Sequence, residues 1–409
     1  MAAAVLVVAS LLLSIGLTKD WRLLHEDNGA FYTTLALSHI RVGLAATRGH
    51  DVLVLAKTGE AQAYGHHPPG VALLLAAAFA AAGSDAPAVA RSVPIAFHFG
   101  SVALALFLFG RLLPPRPAAL GGLFFAVVPM SAYFGRMVGY EPIALFAVLL
   151  ELVGWTLFRQ EGARKGLLLL AAGIALGGFI DWAPFLFAGV LAAVELLDLR
   201  AKRTPSAAAL AVLLGTGAAM LTLDLAHLAA AGGLASFGDV LAKDRSLGGP
   251  SAADFLLGQL EAFRRYFTHA GLGSALAVAF ALVRPHGRFA RALRLDDLVL
   301  RRFLAVAALA PLAWVLAAPA WSDVHPYWKF YFLPYTGASA GLVAGSLARG
   351  LASRPRLSRA ILTCFAFEVA ATSAYMLRLR HTRESEFAVQ QTARIRGLYL
   401  RPSSLSAGR

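Results

Sequence analysis

The chain has 409 residues, of which 58% are hydrophobic and 15% are charged, and its mean hydropathy is +0.66. A soluble domain with this composition would expose too much apolar surface, so we expect a polytopic membrane protein. The net charge of +14 does not indicate nucleic-acid binding, because the basic residues form short clusters between apolar segments. The single cysteine, Cys364, excludes a disulfide framework and a cysteine metal site, and we expect it to pack as a small core residue.

The N-terminal apolar segment, residues 2–18, is long enough for one short span. It has no basic residues before the apolar stretch and continues directly into Lys19, so we interpret it as an uncleaved first span. Residues 19–88 mix polar and apolar positions and are expected to form a large external loop. Within that loop, residues 30–46 have apolar positions at helical spacing, which predicts an amphipathic helix at the membrane interface.

The next apolar stretch, residues 71–82, is shorter than the ~20 residues that a crossing helix needs. Basic residues decide its placement, because cytoplasmic connections are enriched in Lys and Arg. If this stretch stays outside as a re-entrant or surface helix, about half of the 37 Lys and Arg lie in five cytoplasmic connections. Eleven spans follow, near residues 2–18, 89–110, 117–133, 142–158, 166–181, 184–198, 206–223, 269–283, 302–319, 329–348 and 358–377.

Two further segments complete this topology. Residues 224–268 form a second large external loop, which we expect to be partly helical and able to cover a site. The C-terminal tail, residues 378–409, carries seven arginines after Leu377 and would also lie outside, against the charge rule. We therefore predict one all-α membrane domain, residues 1–409, with no sizeable soluble domain.

Polar residues that are costly beside a bilayer collect on the external side, which indicates a functional site. Acids in such a site can serve as general bases, and cations can hold phosphate oxygens. Together these groups suit the transfer of a sugar from a lipid phosphate to an acceptor. The candidates are Glu26, Asp27, Tyr32, His66, His67, Arg136, Glu141, Asp181 with Trp182, His325, Tyr327 and Lys329.

The motifs that carry a resemblance are Glu26-Asp27 followed by Tyr32, His66-His67-Pro68-Pro69, Arg136 with Glu141, and His325-Pro326-Tyr327 leading to Tyr331 and Pro334. Over about the first 335 residues the chain resembles the GT-C glycosyltransferases, particularly the bacterial protein O-mannosyltransferase and aminoarabinose-transferase-like group. The resemblance implies a GT-C-type helix bundle with juxtamembrane helices in the first external loop. It also implies polyprenyl-phosphate sugar donors used on the periplasmic or extracellular face of the bacterial plasma (inner) membrane.

The same resemblance implies roles for the candidates. Asp27 or Glu26 would deprotonate or orient the acceptor, and Glu141 would assist at the acceptor or at a divalent metal. Arg136 and Lys329 would face the donor phosphate, with His66, His67 and His325 nearby. Two departures affect the acceptor and the phosphate ligands: Glu141 stands where Asp is common, and His-His where relatives often have Lys before the Pro pair.

Structural explanations stay open for several of these residues. Asp27 and Glu141 both sit where an acid caps a helix, and the two histidines can simply end a turn. The Asp181-Trp182 pair can act as an interfacial anchor, while the residues 327–331 can belong to the aromatic belt, with Lys329 snorkelling.

The expected function is an inverting transfer, by a polyprenyl-phosphate-sugar-dependent hexosyl or pentosyl transferase, to a hydroxyl or phosphate of a lipid, glycan or protein. A transporter or flippase for a lipid-linked sugar would use the same basic and aromatic groups without a base. A non-catalytic membrane scaffold is a second alternative. Bilayer lipids are expected partners, and nucleic acid is not. The sugar, the acceptor and metal dependence stay open.

Overall fold

The coordinates are a computed structural model that describes residues 1–55, 58–202, 206–230, 238 and 251–399. Within these residues the architecture is almost entirely helical, with a single two-stranded antiparallel hairpin in the first loop. The all-α prediction is confirmed.

The elements in chain order are α1 (Ala2–Ser14), α2 (Asp27–Arg41), α3 (Leu44–Thr47), β1 (Val52–Val54), β2 (Ala61–Ala63), α4 (Gly70–Ala82), α5 (Pro87–Leu112), α6 (Pro115–Val127), α7 (Pro129–Phe134), α8 (Glu141–Glu161), α9 (Arg164–Ile180), α10 (Ala183–Arg200), α11 (Ser206–Ala230), α12 (Ala252–Val283), α13 (Arg288–Ala292), α14 (Leu298–Ala317), α15 (Pro319–Val324), a 3₁₀ helix (Pro326–Phe332), α16 (Leu333–Gly350), α17 (Pro355–Thr382) and α18 (Glu386–Leu398).

Proline and glycine set many of these boundaries. Proline occupies the first turn of α5, α6 and α7, where its missing N–H costs no hydrogen bond. Gly83 and Gly162 end α4 and α8 with φ of 61° and 65°, a left-handed conformation that favours glycine. The apolar stretches are thereby divided into separate helices.

Each predicted span overlaps a helix or a pair of helices. In the described ranges, six helices are long and apolar enough to cross a membrane, namely those at Pro87–Leu112, Glu141–Glu161, Ala207–Ala230, Ala252–Val283, Leu298–Ala317 and Pro355–Thr382. The count of eleven therefore stays a prediction. Helices α1 and α4 each have 13 residues, about 20 Å at 1.5 Å per residue, which is shorter than the ~30 Å hydrocarbon core. The first predicted span, 2–18, is therefore α-helical only over residues 2–14.

Helix α12 changes direction where the sequence predicted the membrane boundary. Thr268 has φ 66° and ψ 166° inside this helix, and the predicted span begins at residue 269. The second predicted loop, 224–268, is helical at 224–230 and 252–268. Most of its remainder lies outside the described residues.

The basic connections meet at one end of the bundle. Arg111 pairs with Glu161, while Arg159 Nη2 lies 2.7 Å from Asp198 Oδ2. Arg302 pairs with the same Asp198. Nearby, Arg349 Nη2 donates to the Ala292 carbonyl at 3.1 Å. The connections that the charge pattern assigned to one side of the membrane are therefore close together in space.

The C-terminal helix α18 packs at the opposite end, on the first loop. Thr392 Oγ1 donates to the Trp21 carbonyl at 2.9 Å, and Arg396 forms two bonds to Asp20 at 2.9 and 2.6 Å. Helix α2 in turn is tied to the hairpin region by His39, whose Nε2 lies 3.0 Å from Asp51 Oδ1. The described part of the basic tail thus lies on the same side as the candidate acids, as the topology predicted. Its Arg396 pairs with Asp20 of the first loop.

Cys364 is exposed in α17, so the expectation of a small core residue is wrong. Helix α17 lies at the periphery of the bundle, and most of the residues in its apolar stretch are not buried by the protein. Facing lipid suits an apolar thiol as well as a core position does, and sequence hydropathy does not distinguish the two.

The topology predicts which introduced cysteines react in a Cys364→Ser background. Asp85→Cys in the first loop and Gln390→Cys in α18 are expected to react with a membrane-impermeant maleimide on spheroplasts. Arg116→Cys at the opposite end is expected to react only after permeabilisation. Labelling of Arg116→Cys on intact spheroplasts would show that the orientation is the opposite of the predicted one.

Candidate active site

Glu26 is held between two buried arginines. Its Oε1 lies 2.7 Å from Arg136 Nη2 and 3.1 Å from Arg91 Nη2, and its Oε2 accepts the Leu23 N–H at 3.2 Å. All three charged side chains are at most 8% exposed. This pairing balances the negative charge of Glu26 and lowers the cost of burying the two guanidiniums.

Arg136 is committed to the same cluster. Its Nη1 donates to the Gly16 carbonyl at 3.0 Å, and its guanidinium lies 5.7 Å from the centre of the Tyr133 ring. Tyr133 also donates its hydroxyl to the Leu24 carbonyl at 2.7 Å. The structure thus gives Glu26 and Arg136 an anchoring role for the first loop, and their direct contact with substrate stays a prediction.

Asp27, the next residue, has a different environment. It is the first residue of α2, and Glu26 precedes it at the N-cap without a side-chain capping bond. Among the described residues its buried Oδ1 has no hydrogen-bond partner. Burial raises the pKa of the Asp27 carboxyl above its usual value of 3.8. A carboxylate that is short of partners and prefers the protonated form is suited to accept a proton.

Glu141 also has a buried oxygen without a hydrogen-bond partner, as do Glu151 and Asp224 elsewhere in the described chain. It begins α8, is 1% exposed, and its Oε1 has no hydrogen-bond partner. Burial raises the pKa of the Tyr327 hydroxyl, and the negative charges of Glu141 and Asp27 contribute to this shift. Both acids therefore lie near Tyr327, and their joint role in one site stays a prediction.

Asp181 belongs to the same centre, although the sequence alone left it undecided between an anchor and a ligand. Its carboxylate is fully buried. Oδ1 lies 3.1 Å from His67 Nδ1, and Oδ2 accepts the Tyr331 hydroxyl at 2.7 Å. The signal for this role in the sequence was the position of an acid at the end of an apolar span. An acid there is costly unless it is paired.

Aromatic rings connect these acids. His67 stacks on Tyr140 with centroids 4.0 Å apart, and Tyr140 meets the Tyr32 ring edge-on at 6.4 Å. Burial raises the pKa of Tyr32 well above its usual value, so its hydroxyl stays protonated. His66 sits beside this group, where its carbonyl accepts the Trp182 indole N–H at 2.8 Å.

The segment before α16 supplies the opposite wall. The Tyr327 hydroxyl and His325 Nδ1 are 2.9 Å apart, and the Tyr327 ring meets His25 edge-on at 5.1 Å. Burial lowers the pKa of His325 to about 4 and that of His25 to about 3. Both imidazoles are therefore neutral at pH 7. His25 was missed in the sequence, where nothing marks it.

The aromatic-belt and snorkelling alternatives are wrong for residues 327–331. Tyr327 is 5% exposed and Tyr331 is fully buried, whereas belt residues face the lipid headgroups. Lys329 is 1% exposed and donates to the Ser322 carbonyl at 2.8 Å. Its ammonium is therefore inside the protein, and a contact with the donor phosphate stays a prediction.

Most of the predicted residues thus divide into two groups, whereas His66 lies beside them and Lys329 bonds to the Ser322 carbonyl. Asp27, Glu141, Tyr32, His67, Tyr327 and His325 lie around one polar centre together with Asp181, while Glu26 and Arg136 form the adjacent ion-pair cluster. In the part of the chain that is described, no group of three or more His, Cys, Asp and Glu side chains is arranged to hold a metal. The predicted divalent metal stays a prediction.

No family model and no curated protein matches the chain, but solved structures do. The Archaeoglobus fulgidus oligosaccharyltransferase in complex with Zn and sulfate aligns with TM-score 0.60 and 15% identity, covering 91% of this chain and 53% of that one. ArnT from Cupriavidus metallidurans bound to undecaprenyl phosphate aligns with TM-score 0.55 and 14% identity, covering 96% and 73%. Both are GT-C superfamily proteins.

The chain has a GT-C fold. A third structure, the archaeal oligosaccharyltransferase AglB with an inhibitory peptide and a dolichol-phosphate, aligns with TM-score 0.54 and 14% identity over 96% of this chain. The chain spans about half the length of the archaeal oligosaccharyltransferase. Identities this low establish the fold alone, so the narrower O-mannosyltransferase or aminoarabinose-transferase-like group stays a prediction.

The Glu26 cluster predicts a stability effect. Glu26→Gln leaves Arg91 and Arg136 buried without a counter-charge, so we expect unfolding to become easier by about 3–5 kcal/mol. Glu384→Gln is the matched control, because the Glu384–Arg22 pair at 2.9 Å is more than half exposed and should contribute under about 1 kcal/mol. Thermal unfolding of both purified variants in detergent measures the difference. Equal shifts would show that the buried pair is not an anchor.

Proposed function

We propose that the protein is a glycosyltransferase that moves a sugar from a polyprenyl-phosphate donor to an acceptor on the outer face of the membrane. The supporting observation is the contrast between adjacent acids: Glu26 is neutralised by two arginines, whereas Asp27 keeps a buried oxygen without a described partner. A transporter or scaffold needs no such carboxylate at a polar centre. The GT-C fold agrees with this assignment.

Asp27 would act as the general base. Its carboxylate takes the proton of the acceptor hydroxyl as the oxygen attacks the anomeric carbon of the sugar. The bond from that carbon to the phosphate oxygen breaks, and the phosphate leaves with the electron pair. A single displacement of this kind inverts the anomeric configuration. General-base catalysis of such a step contributes about 10²–10⁴-fold to the rate.

Surrounding groups would orient the two substrates. Glu141, beside Tyr327, would accept a hydrogen bond from the acceptor, and Tyr32 and Tyr327 would donate hydrogen bonds as neutral phenols. Asp181 holds the His67 ring at Nδ1, which leaves Nε2 available for the donor. Neutral His325, with His66 and Lys329 close by, would complete the donor side.

The donor class is inferred from carriers named for the related folds. ArnT is bound to undecaprenyl phosphate in one structure, and AglB to dolichol-phosphate in another. For this chain we propose a polyprenyl-phosphate hexose or pentose, a lipid, glycan or protein acceptor, and a location in the bacterial plasma membrane. A divalent metal near Glu141 remains part of the proposal.

Replacing the base should abolish transfer. Asp27→Asn is expected to lower the transfer rate by about 10²-fold or more, because the amide cannot accept the proton. Asp85→Asn, at an exposed position of the same loop, is the matched control and should leave the rate unchanged. Mass spectrometry of envelope lipids and glycans from cells producing each variant would measure the glycosylated product. Normal product from Asp27→Asn would favour the flippase alternative.

The raised pKa of Asp27 predicts the pH dependence. Transfer requires the ionised carboxylate, so the rate should rise with pH as Asp27 loses its proton, with an acid limb above 3.8. The measurement is kcat/KM in detergent between about pH 4 and pH 8. A profile that falls as pH rises through this interval would exclude a carboxylate base.

A further inference from the structure

A basic cavity lies between α12 and α17, outside the polar centre that contains Asp27 and Glu141. Its volume is about 590 Å³, and Arg264, Arg265, His269, Tyr375 and Arg380 are among the lining residues. None of these residues belongs to the centre proposed for sugar transfer. Its walls also include apolar side chains, Met376 and Leu379.

The cavity sits where the two helices leave the membrane on the external side. Arg264 and Arg265 precede the change of direction at Thr268, and Arg380 lies near the end of α17. The predicted span of α12 begins at residue 269, where the backbone N–H of His269 bonds to Glu368 of α17, and Tyr266 just before it bonds to Arg380. Tyr375 is highly exposed, so the cavity opens toward the bilayer as well as toward water. Basic groups above apolar walls match an anionic lipid at this depth.

Its charges are incompletely neutralised. Arg264 Nε lies 2.6 Å from Glu261 Oε2, and Arg265 Nε lies 2.6 Å from Glu261 Oε1, so one carboxylate serves two guanidiniums. Glu368 is occupied by the backbone N–H groups of His269 and Ala270, at 2.9 and 3.1 Å, and by the His269 ring.

Arg380 has no carboxylate partner among the described residues. Its Nη2 donates to the Tyr266 hydroxyl at 2.6 Å, and its buried Nε has no hydrogen-bond partner in the same ranges. A guanidinium can form two parallel bonds to a phosphate. Arg380 therefore retains donor capacity that a phosphate oxygen would use.

We propose that this cavity binds the phosphate group of a lipid in the outer leaflet, with Arg380 and Arg265 as its main ligands. The lipid chains lie along the Met376 and Leu379 side of α17. Tyr266 and Phe134, with ring centroids 5.3 Å apart, stand between Arg380 and the wall formed by His25 and Tyr327. The site adjoins the transfer centre, because the charge of Arg380 contributes to the lowered pKa of His25, but it uses none of that centre's residues and does not depend on the proposed reaction.

Lipid binding to the purified full chain in detergent tests this site. The probes are phosphatidylglycerol, phosphatidylcholine with the same acyl chains, undecaprenyl phosphate and inorganic phosphate, measured by native mass spectrometry and thermal shift. We expect Arg380→Gln and Arg265→Gln each to raise the Kd of the preferred lipid about 5- to 10-fold, because each removes one cation from the headgroup. Arg359→Gln, at the opposite end of α17, should leave it unchanged.

The outcomes separate the sources of phosphate. Preference for phosphatidylglycerol over phosphatidylcholine, weakened by both variants and by salt, supports an anionic bilayer lipid. Preference for undecaprenyl phosphate with the same variant effects supports the site and identifies a polyprenyl carrier as its ligand. Equal stabilisation by inorganic phosphate, or equal binding by wild type, Arg380→Gln and Arg265→Gln, would overturn the proposal. Because Arg265 is more than half exposed, its variant keeps the test valid if Arg380→Gln does not fold.

Discussion

The ion-pair cluster around Glu26 is the constraint on which the external half of the molecule depends. One carboxylate joins three parts of the chain: the loop that follows α1, helix α5 through Arg91, and the connection before α8 through Arg136. Arg91 also donates to the Leu17 carbonyl at 2.8 Å. Because burying any one of these charges alone would cost several kcal/mol, the three segments are stable only together. The start of α2 is thereby fixed relative to α5 and α8.

Adjacent acids acquire opposite properties from this arrangement. Successive residues at a helix start project about 100° apart, so Glu26 can face the arginines while Asp27 faces the polar centre. The two arginines also compensate the negative charge of Glu26. Without them that charge would make the neighbouring Asp27 harder to ionise. A sequence can identify the acidic pair, but it cannot say which member meets a cation, because Arg91 and Arg136 are distant along the chain.

Local signals predicted much of the fold. Apolar segments with Pro and Gly at their ends gave helix positions, and the length of residues 71–82 correctly limited α4 to a short helix. The basic clusters correctly predicted which connections share one end. The sequence could not reveal the Asp181 contacts, since His67 and Tyr331 lie 114 and 150 residues away in the chain. Nor could it distinguish a lipid-facing Cys364 from a buried one, because both positions are apolar.

The short 3₁₀ helix at Pro326–Phe332 buries the aromatic residues for which the sequence left the aromatic-belt alternative open. With about three residues per turn, such a segment sends neighbouring side chains in widely different directions. Here Tyr327 contacts His325, Lys329 reaches the Ser322 carbonyl, and Tyr331 donates to Asp181. An aromatic residue of the membrane–water interface exposes its polar atom to water, whereas these side chains are buried inside the protein. Their polar atoms must therefore be satisfied inside the protein, and the partners that satisfy them are the groups that define the candidate active site.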